Sequence, residues 1–163
     1  MDLLLYPNPI LRIPCKAVES LTPEIQKSLS TMMDRMDEWG GIGLAAPQCG
    51  LSLRMFVMNI PGHGRNAFIN PEIEDLQEGL SSMEEGCLSL PGAIVEVTRS
   101  SSIRLRATDH HGVSVDVCYR GLASICVQHE NDHLDGVLIL DKADSFGRRL
   151  ALQNVWDAVH PHH

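Results

Sequence analysis

Apolar residues at Ile25, Leu29, Met32, Met33 and Met36 recur at intervals of three and four, the spacing of one helical stripe. Thr22 stands where an N-cap belongs, Pro23 suits the first helical position, and Gly40 and Gly41 end the run. Beyond Leu53 the pattern shortens. "LRMFVMNI", "AFINPEI", "AIVEV" and "SIRLRA" are rich in branched side chains and broken by Gly, Pro and Asn, which predicts short strands. "TDHHGV" is a turn leading into the alternating "VSVDVCY", so 102–119 is expected to form a hairpin. Helical spacing returns in "GLASICVQHENDHLDG", closed by Gly136, and a last helix is expected from about Ser145 to Ala158. The first fifteen residues, interrupted by Pro7, Pro9 and Pro14, read as an extended arm over the body.

Strands grouped between helices, without strand–helix alternation, predict an α+β fold. The expected architecture is short mixed or antiparallel sheets around a central helix, with an N-terminal helix and a short C-terminal one. No repeat or low-complexity linker interrupts the 163 residues, so 1–163 is read as one domain.

Composition narrows the function. A net charge of −8 argues against nucleic-acid binding and against a basic membrane patch. No apolar stretch reaches 18 residues, and the N-terminus, with Asp2 and three prolines, does not resemble a secretory signal. Five cysteines, odd in number and without a CxxC pair, suit reduced thiols in a cytosol-like compartment. A small-molecule or peptide substrate fits best.

The candidate chemistry lies in the second helix, expected over 121–135. Leu122, Ile125, Cys126, His129 and His133 fall on one face. Imidazoles on a buried stripe need a partner, and a metal ion would satisfy both at i,i+4. Glu130 sits about 100° round the helix from His129, off the ligand pair and near the open position of an ion. HExxH arises by chance in roughly one shuffled sequence of this composition in forty, so the motif alone is suggestive.

A catalytic site of this type needs a third protein ligand. Downstream, the position where one zinc-peptidase class places a further histidine holds Ile139, and no glutamate follows Glu130. Asp141 and Asp144 read as a strand end and a helix start, and His160, His162 and His163 lie on a tail. Upstream, "MEEGCLSLPG" offers Cys87 in a backbone expected to be extended. A Cys/His/His set leaves one position for water. "GIGLAAPQ" adds glycines and alanines that allow close backbone approach, with a terminal amide at Gln48.

Taken together, "GIGLAAPQ", "EGCLSLP" and "QHENDHLDG" resemble the three motifs of the peptide deformylase family, in that family's order and at similar separations. Further similarity, including "PNPILR" and "INPEI", extends to about Asp141. The resemblance implies one divalent metal held by Cys87, His129 and His133. The ion is commonly Fe²⁺ in the cell, and Zn²⁺, Ni²⁺ or Co²⁺ can substitute. It implies removal of the formyl group from N-formylmethionyl nascent peptides, with water activated by the metal and Glu130 as general acid/base. The Gln48 side chain and the Leu88 backbone N–H would bind the formyl oxygen. The methionine pocket would map to Ile42, Gly86, Ile125, Cys126 and His129, with Gly43 beside the substrate backbone.

Two departures stand out. "SFGRRLALQNVWDAVHPHH" is short and has only Arg148 and Arg149 as cations, so it lacks the long basic helix that would support ribosome association. Such an end also occurs in phage-borne members, which makes the expected location a bacterial cytosol, or a host cytosol for a phage-borne chain. Ala93 and Ile94 occupy the region where some members place a peptide-holding arginine; Arg99 is expected instead to pair with Glu85 and brace the cysteine loop. His63, His110 and His111 read as loop or turn residues, and Cys15, Cys49 and Cys118 as plain thiols. The rivals are an HExxH endopeptidase with another third ligand, and a non-catalytic metal-binding module.

Overall fold

A computed structural model describes residues 1–161. Helix α1 spans Pro23–Glu38, with the Thr22 hydroxyl accepting from the Ile25 N–H and Gly40 in a left-handed conformation just past its end. Strands β1 (Gly43–Ala45), β2 (Met55–Ile60), β3 (Gly64–Asp75), β4 (Leu80–Glu85), β5 (Val95–Ser100), β6 (Ser102–Thr108) and β7 (Ser114–Arg120) follow. Helix α2 covers Gly121–Leu134 and α3 covers Ser145–Val159. The expected α+β class and the 102–119 hairpin are both present. The strands named here pair antiparallel, in the order β1-β2-β3-β6-β7 for one sheet and β4-β5 for a second.

Strand alternation explains the layering. On β2, Met55 and Val57 point to α1, where they meet Leu29, Met32 and Met36. Phe56, Met58 and Ile60 point the other way and join Phe68, Leu105, Val127 and Leu134 under α2. The large sheet is therefore covered on both faces, consistent with the nearly unbroken apolar run of β2. A third cluster joins Val95 and Val97 of β5 to Leu138, Ile139, Leu140, Ala151 and Val155, so the small sheet leans on the C-terminal part of the chain.

The arm holds these parts in register. Cys15 donates its N–H to the Leu134 carbonyl, and Lys16 bridges to Leu53. Gly136, in a left-handed conformation with φ +73°, lets the chain turn out of α2 against Arg12. A Cβ at Gly136 would stand 2.5 Å from the Arg12 carbonyl oxygen and 2.8 Å from its carbon, both of them backbone. Gly136→Ala is expected to destabilise the protein by more than about 2 kcal/mol, since left-handed strain of about 1–2 kcal/mol adds to that clash. Urea unfolding measures this, and an unchanged midpoint would refute it.

Candidate metal centre

Two sequence-remote segments meet at α2. His129 and His133 project from the same side of the helix. Cys87, two residues past the end of β4, brings its Sγ to 3.4 Å from His133 Nε2. The Cys87 backbone does not continue the strand: its carbonyl accepts from Leu90 N at 2.9 Å, closing a turn where an extended segment was expected. Ligand atoms of Cys87, His129 and His133 all lie within 4.8 Å of one another, the one such group among the described residues. A thiolate and an imidazole bound at usual lengths to a tetrahedral ion stand roughly 3.5 Å apart, close to what is found.

The downstream alternatives are occupied elsewhere. Asp141 takes Arg12 and the Leu138 N–H, Asp144 caps α3 through Gly147 N, and His160 Nδ1 pairs with the Trp156 carbonyl. His162 and His163 lie outside the described residues.

Glu85 orders the ligands. Its Oε1 lies 2.8 Å from His129 Nδ1, which leaves Nε2 for an ion. Its carboxylate also receives Arg99 Nε at 2.7 Å and Arg99 Nη2 at 3.0 Å, the pairing expected from the sequence. Arg99 Nη1 reaches on to Asp132 of α2 at 2.8 Å. Burial pushes the Glu85 carboxyl up, but the bonds from His129 and Arg99 prevail and hold it below the usual carboxylate range. Burial, aided by the His129 and Arg99 charges, lowers His133 well below its ordinary value, keeping it in the neutral form that binds metals.

Glu130 is 3% exposed, and its Oε1 has no hydrogen-bond partner among the described residues. Burial raises its pKa to about 7. A buried, unpaired carboxylate oxygen beside a soft sulfur and two imidazoles fits an ion and the water it would carry. Gly43 permits this packing, because a Cβ there would meet Glu130 Oε2 at 2.6 Å and Cys126 Sγ at 2.9 Å.

A cavity of about 530 Å³ opens over the centre. Its walls include Ile42, Gly43, Gln48, Gly86, Cys87, Leu88, Ile125, Cys126, His129 and Glu130, which brings all but one of the expected site residues together; His133 is buried beneath. Gln48 is 1% exposed and its amide faces Cys87. Nothing among the described residues accepts from the Leu88 N–H. Leu122, expected in a buried stripe, is 40% exposed at the cavity mouth, because this face of α2 lines the cavity while Ala123, Val127 and Leu134 face the sheet. Sequence reasoning missed Met83, Ile94, Ser89 and Asp132. Only Ser89 and Asp132 carried a signal, since each sits next to or inside a motif.

Comparison with known proteins agrees with this geometry. The family model for polypeptide deformylase matches residues 1–149. A peptide deformylase from Desulforudis audaxviator is 40% identical over 144 residues, covering 88% of this chain and 94% of that protein. Among solved structures, a peptide deformylase from Legionella pneumophila superposes with a TM-score of 0.93 at 35% identity, covering 98% of this chain and 95% of that one. The peptide deformylase from Thermotoga maritima gives 0.84 at 39% identity, covering 88% and 97%.

Glu85→Ala removes one partner of a buried pair and the orienter of His129. The expected losses are about 3 kcal/mol of stability in the metal-free protein and about 10- to 100-fold in metal affinity. Urea unfolding and chelator competition read the two separately; if neither moves, the bracing role is wrong.

Proposed function

The chain belongs to the peptide deformylase family, and from that premise we propose a role for each residue of the centre. The protein is a metal-dependent hydrolase that removes N-formyl groups and releases formate. The observation that carries this reading is the convergence of Cys87, His129 and His133 beneath a cavity that also holds the Gln48 amide. A divalent cation bound by the three residues supplies Lewis acidity, which makes water nucleophilic near neutral pH and polarises the formyl carbonyl. The donor set suits Fe²⁺, Zn²⁺, Ni²⁺ and Co²⁺, and Fe²⁺ is our proposal for the cell.

The rest is done by the chain. Glu130, with a pKa of about 7, accepts a proton from water and delivers it to the departing amine. Attack leaves negative charge on the formyl oxygen, and the Gln48 Nε2–H and Leu88 N–H donate to it. These donors are held before the reaction starts, so they need no reorganisation as charge develops. Ile42, Gly86, Ile125, Cys126 and the His129 ring receive the methionine side chain, and Gly43 lies along the peptide backbone.

Formylmethionyl ends of nascent peptides are the proposed substrates. α3 offers only Arg148 and Arg149 as cations, so ribosome docking is not part of this reading. No helix among the described residues is long and apolar enough to cross a membrane. Five free cysteines support a reducing, cytosolic compartment, and residues 1–163 are proposed to act as one catalytic unit.

Formate release from formyl-Met-Ala-Ser by anaerobically prepared protein tests the activity. Cys87→Ala is expected to lose both metal and activity. Glu130→Gln should keep the metal while kcat falls by about 10²- to 10⁴-fold. Retention of stoichiometric metal by Cys87→Ala, together with cleavage inside unformylated peptides, would favour the endopeptidase reading instead.

A further inference from the structure

The Gln48 side chain is held at three points. Its Oε1 accepts from the Ala45 N–H at 2.9 Å, which settles the orientation of the amide, because a flipped NH₂ would face another donor. Its Nε2 lies 3.1 Å from the Ser89 hydroxyl and 3.7 Å from Cys87 Sγ. Ser89 is fully buried. One amide hydrogen is thus directed to Ser89, and the other to Cys87 Sγ on the cavity side.

The backbone keeps these two residues opposite each other. In the N-terminal arm, Leu4 donates its N–H to the Gln48 carbonyl at 2.7 Å, and Tyr6 donates to the Ser89 carbonyl at 2.9 Å. Two segments 41 residues apart are therefore pinned to neighbouring positions on one strap. A buried hydroxyl could bond its own backbone locally. Here it is spent on an amide from another motif.

We propose that Ser89 is a positioning residue for the reaction: its hydroxyl fixes the rotation of the Gln48 amide so that the Nε2–H on the Cys87 side is presented to the formyl oxygen. This rests on the reading of Gln48 as an oxygen donor. Ser89 touches no substrate atom and acts through Gln48 alone. Without it, the amide keeps its Ala45 contact but gains freedom about its last torsion, and the preset dipole is lost.

The test is a double-mutant cycle in zinc-loaded protein with formyl-Met-Ala-Ser. Ser89→Ala is expected to lower kcat about tenfold, less than the hundredfold that about 1 Å of misplacement can cost. KM should stay within about twofold, since the lost interaction serves the transition state. Zinc content should not change, and the thermal midpoint should fall by only a few degrees, as the loss of one buried hydrogen bond entails. In the Gln48→Ala background, the same Ser89 substitution should cause no further fall. Proton exchange of the Gln48 side-chain amide, followed by NMR, should be at least about tenfold faster in Ser89→Ala, the loss of one buried hydrogen bond. Ser89→Cys, a weaker acceptor, should fall between the two in kcat, and it carries the same cycle if Ser89→Ala does not fold. Full kcat in Gln48→Ala would overturn the donor role itself. A normal loss in Gln48→Ala, but equal Ser89→Ala effects in both backgrounds or unchanged amide exchange, would overturn this inference alone.

Discussion

One buried carboxylate joins the two halves of the structure. Glu85 ends β4, the outer strand of the small sheet, and takes hydrogen bonds from Arg99 of β5 and His129 of α2. Burying an ion pair costs several kcal/mol per ion, which good geometry and further hydrogen bonds must offset. That condition is met here: Arg99 fills both Glu85 oxygens and uses its remaining arm on Asp132 of α2. The network therefore ties the hairpin that carries Cys87 to the helix that carries both histidines. A metal centre built from distant parts of a chain needs such a tie, because a thiolate displaced by an ångström no longer shares an ion with the imidazoles.

Close backbone approach is the second requirement. β1 runs directly past α2, and Gly43 leaves room for Glu130 and Cys126 where any Cβ would collide. Gly41 does the same against Leu88, whose Cδ1 would stand 2.8 Å from a Cβ. The small residues of "GIGLAAPQ" thus have a packing reason as well as a chemical one. They bring Gln48 on one side and Glu130 on the other to a single cavity, while the covered sheet beneath supplies rigidity.

How much of this was legible in the sequence depends on which force shaped each element. α1 was readable because its cap, its first proline and its apolar stripe agree. The i,i+4 histidines were readable because helix geometry puts them together whatever surrounds them. β4 left no trace: of "LSSMEE" only Glu85 is buried, so the strand exists through its pairing with β5 and not through an apolar face. Leu122 misled for the opposite reason, since periodicity marks a helix face without saying whether that face meets protein or a cavity. Cys87 was readable only as one upstream candidate among five cysteines, and the family resemblance supplied its role as a ligand. Ser89 and Asp132 stand inside the quoted motifs, but what each one touches is set by tertiary contacts that no local pattern encodes.

The charges around the centre show where a bound cation would enter the balance. Glu85, Asp132 and Glu130 contribute up to three negative charges. The facing cations are Arg99, which Glu85 and Asp132 already engage, His129, which despite burial Glu130 and Glu85 hold well above its ordinary pKa, and Lys142, 3.9 Å from Asp132 and half in solvent. Burial also raises the Glu130 pKa to about 7, which trims the negative charge further. A divalent ion bound in place of the His129 proton would stabilise the thiolate that binds it and lower the cost of an ionised Glu130 nearby. Those two effects pull together: the Cys87 thiol and the Glu130 carboxyl would each be made more anionic by a bound ion. A bound metal would then be one more charge in this network, in which Arg99 is the protein's own fixed contribution.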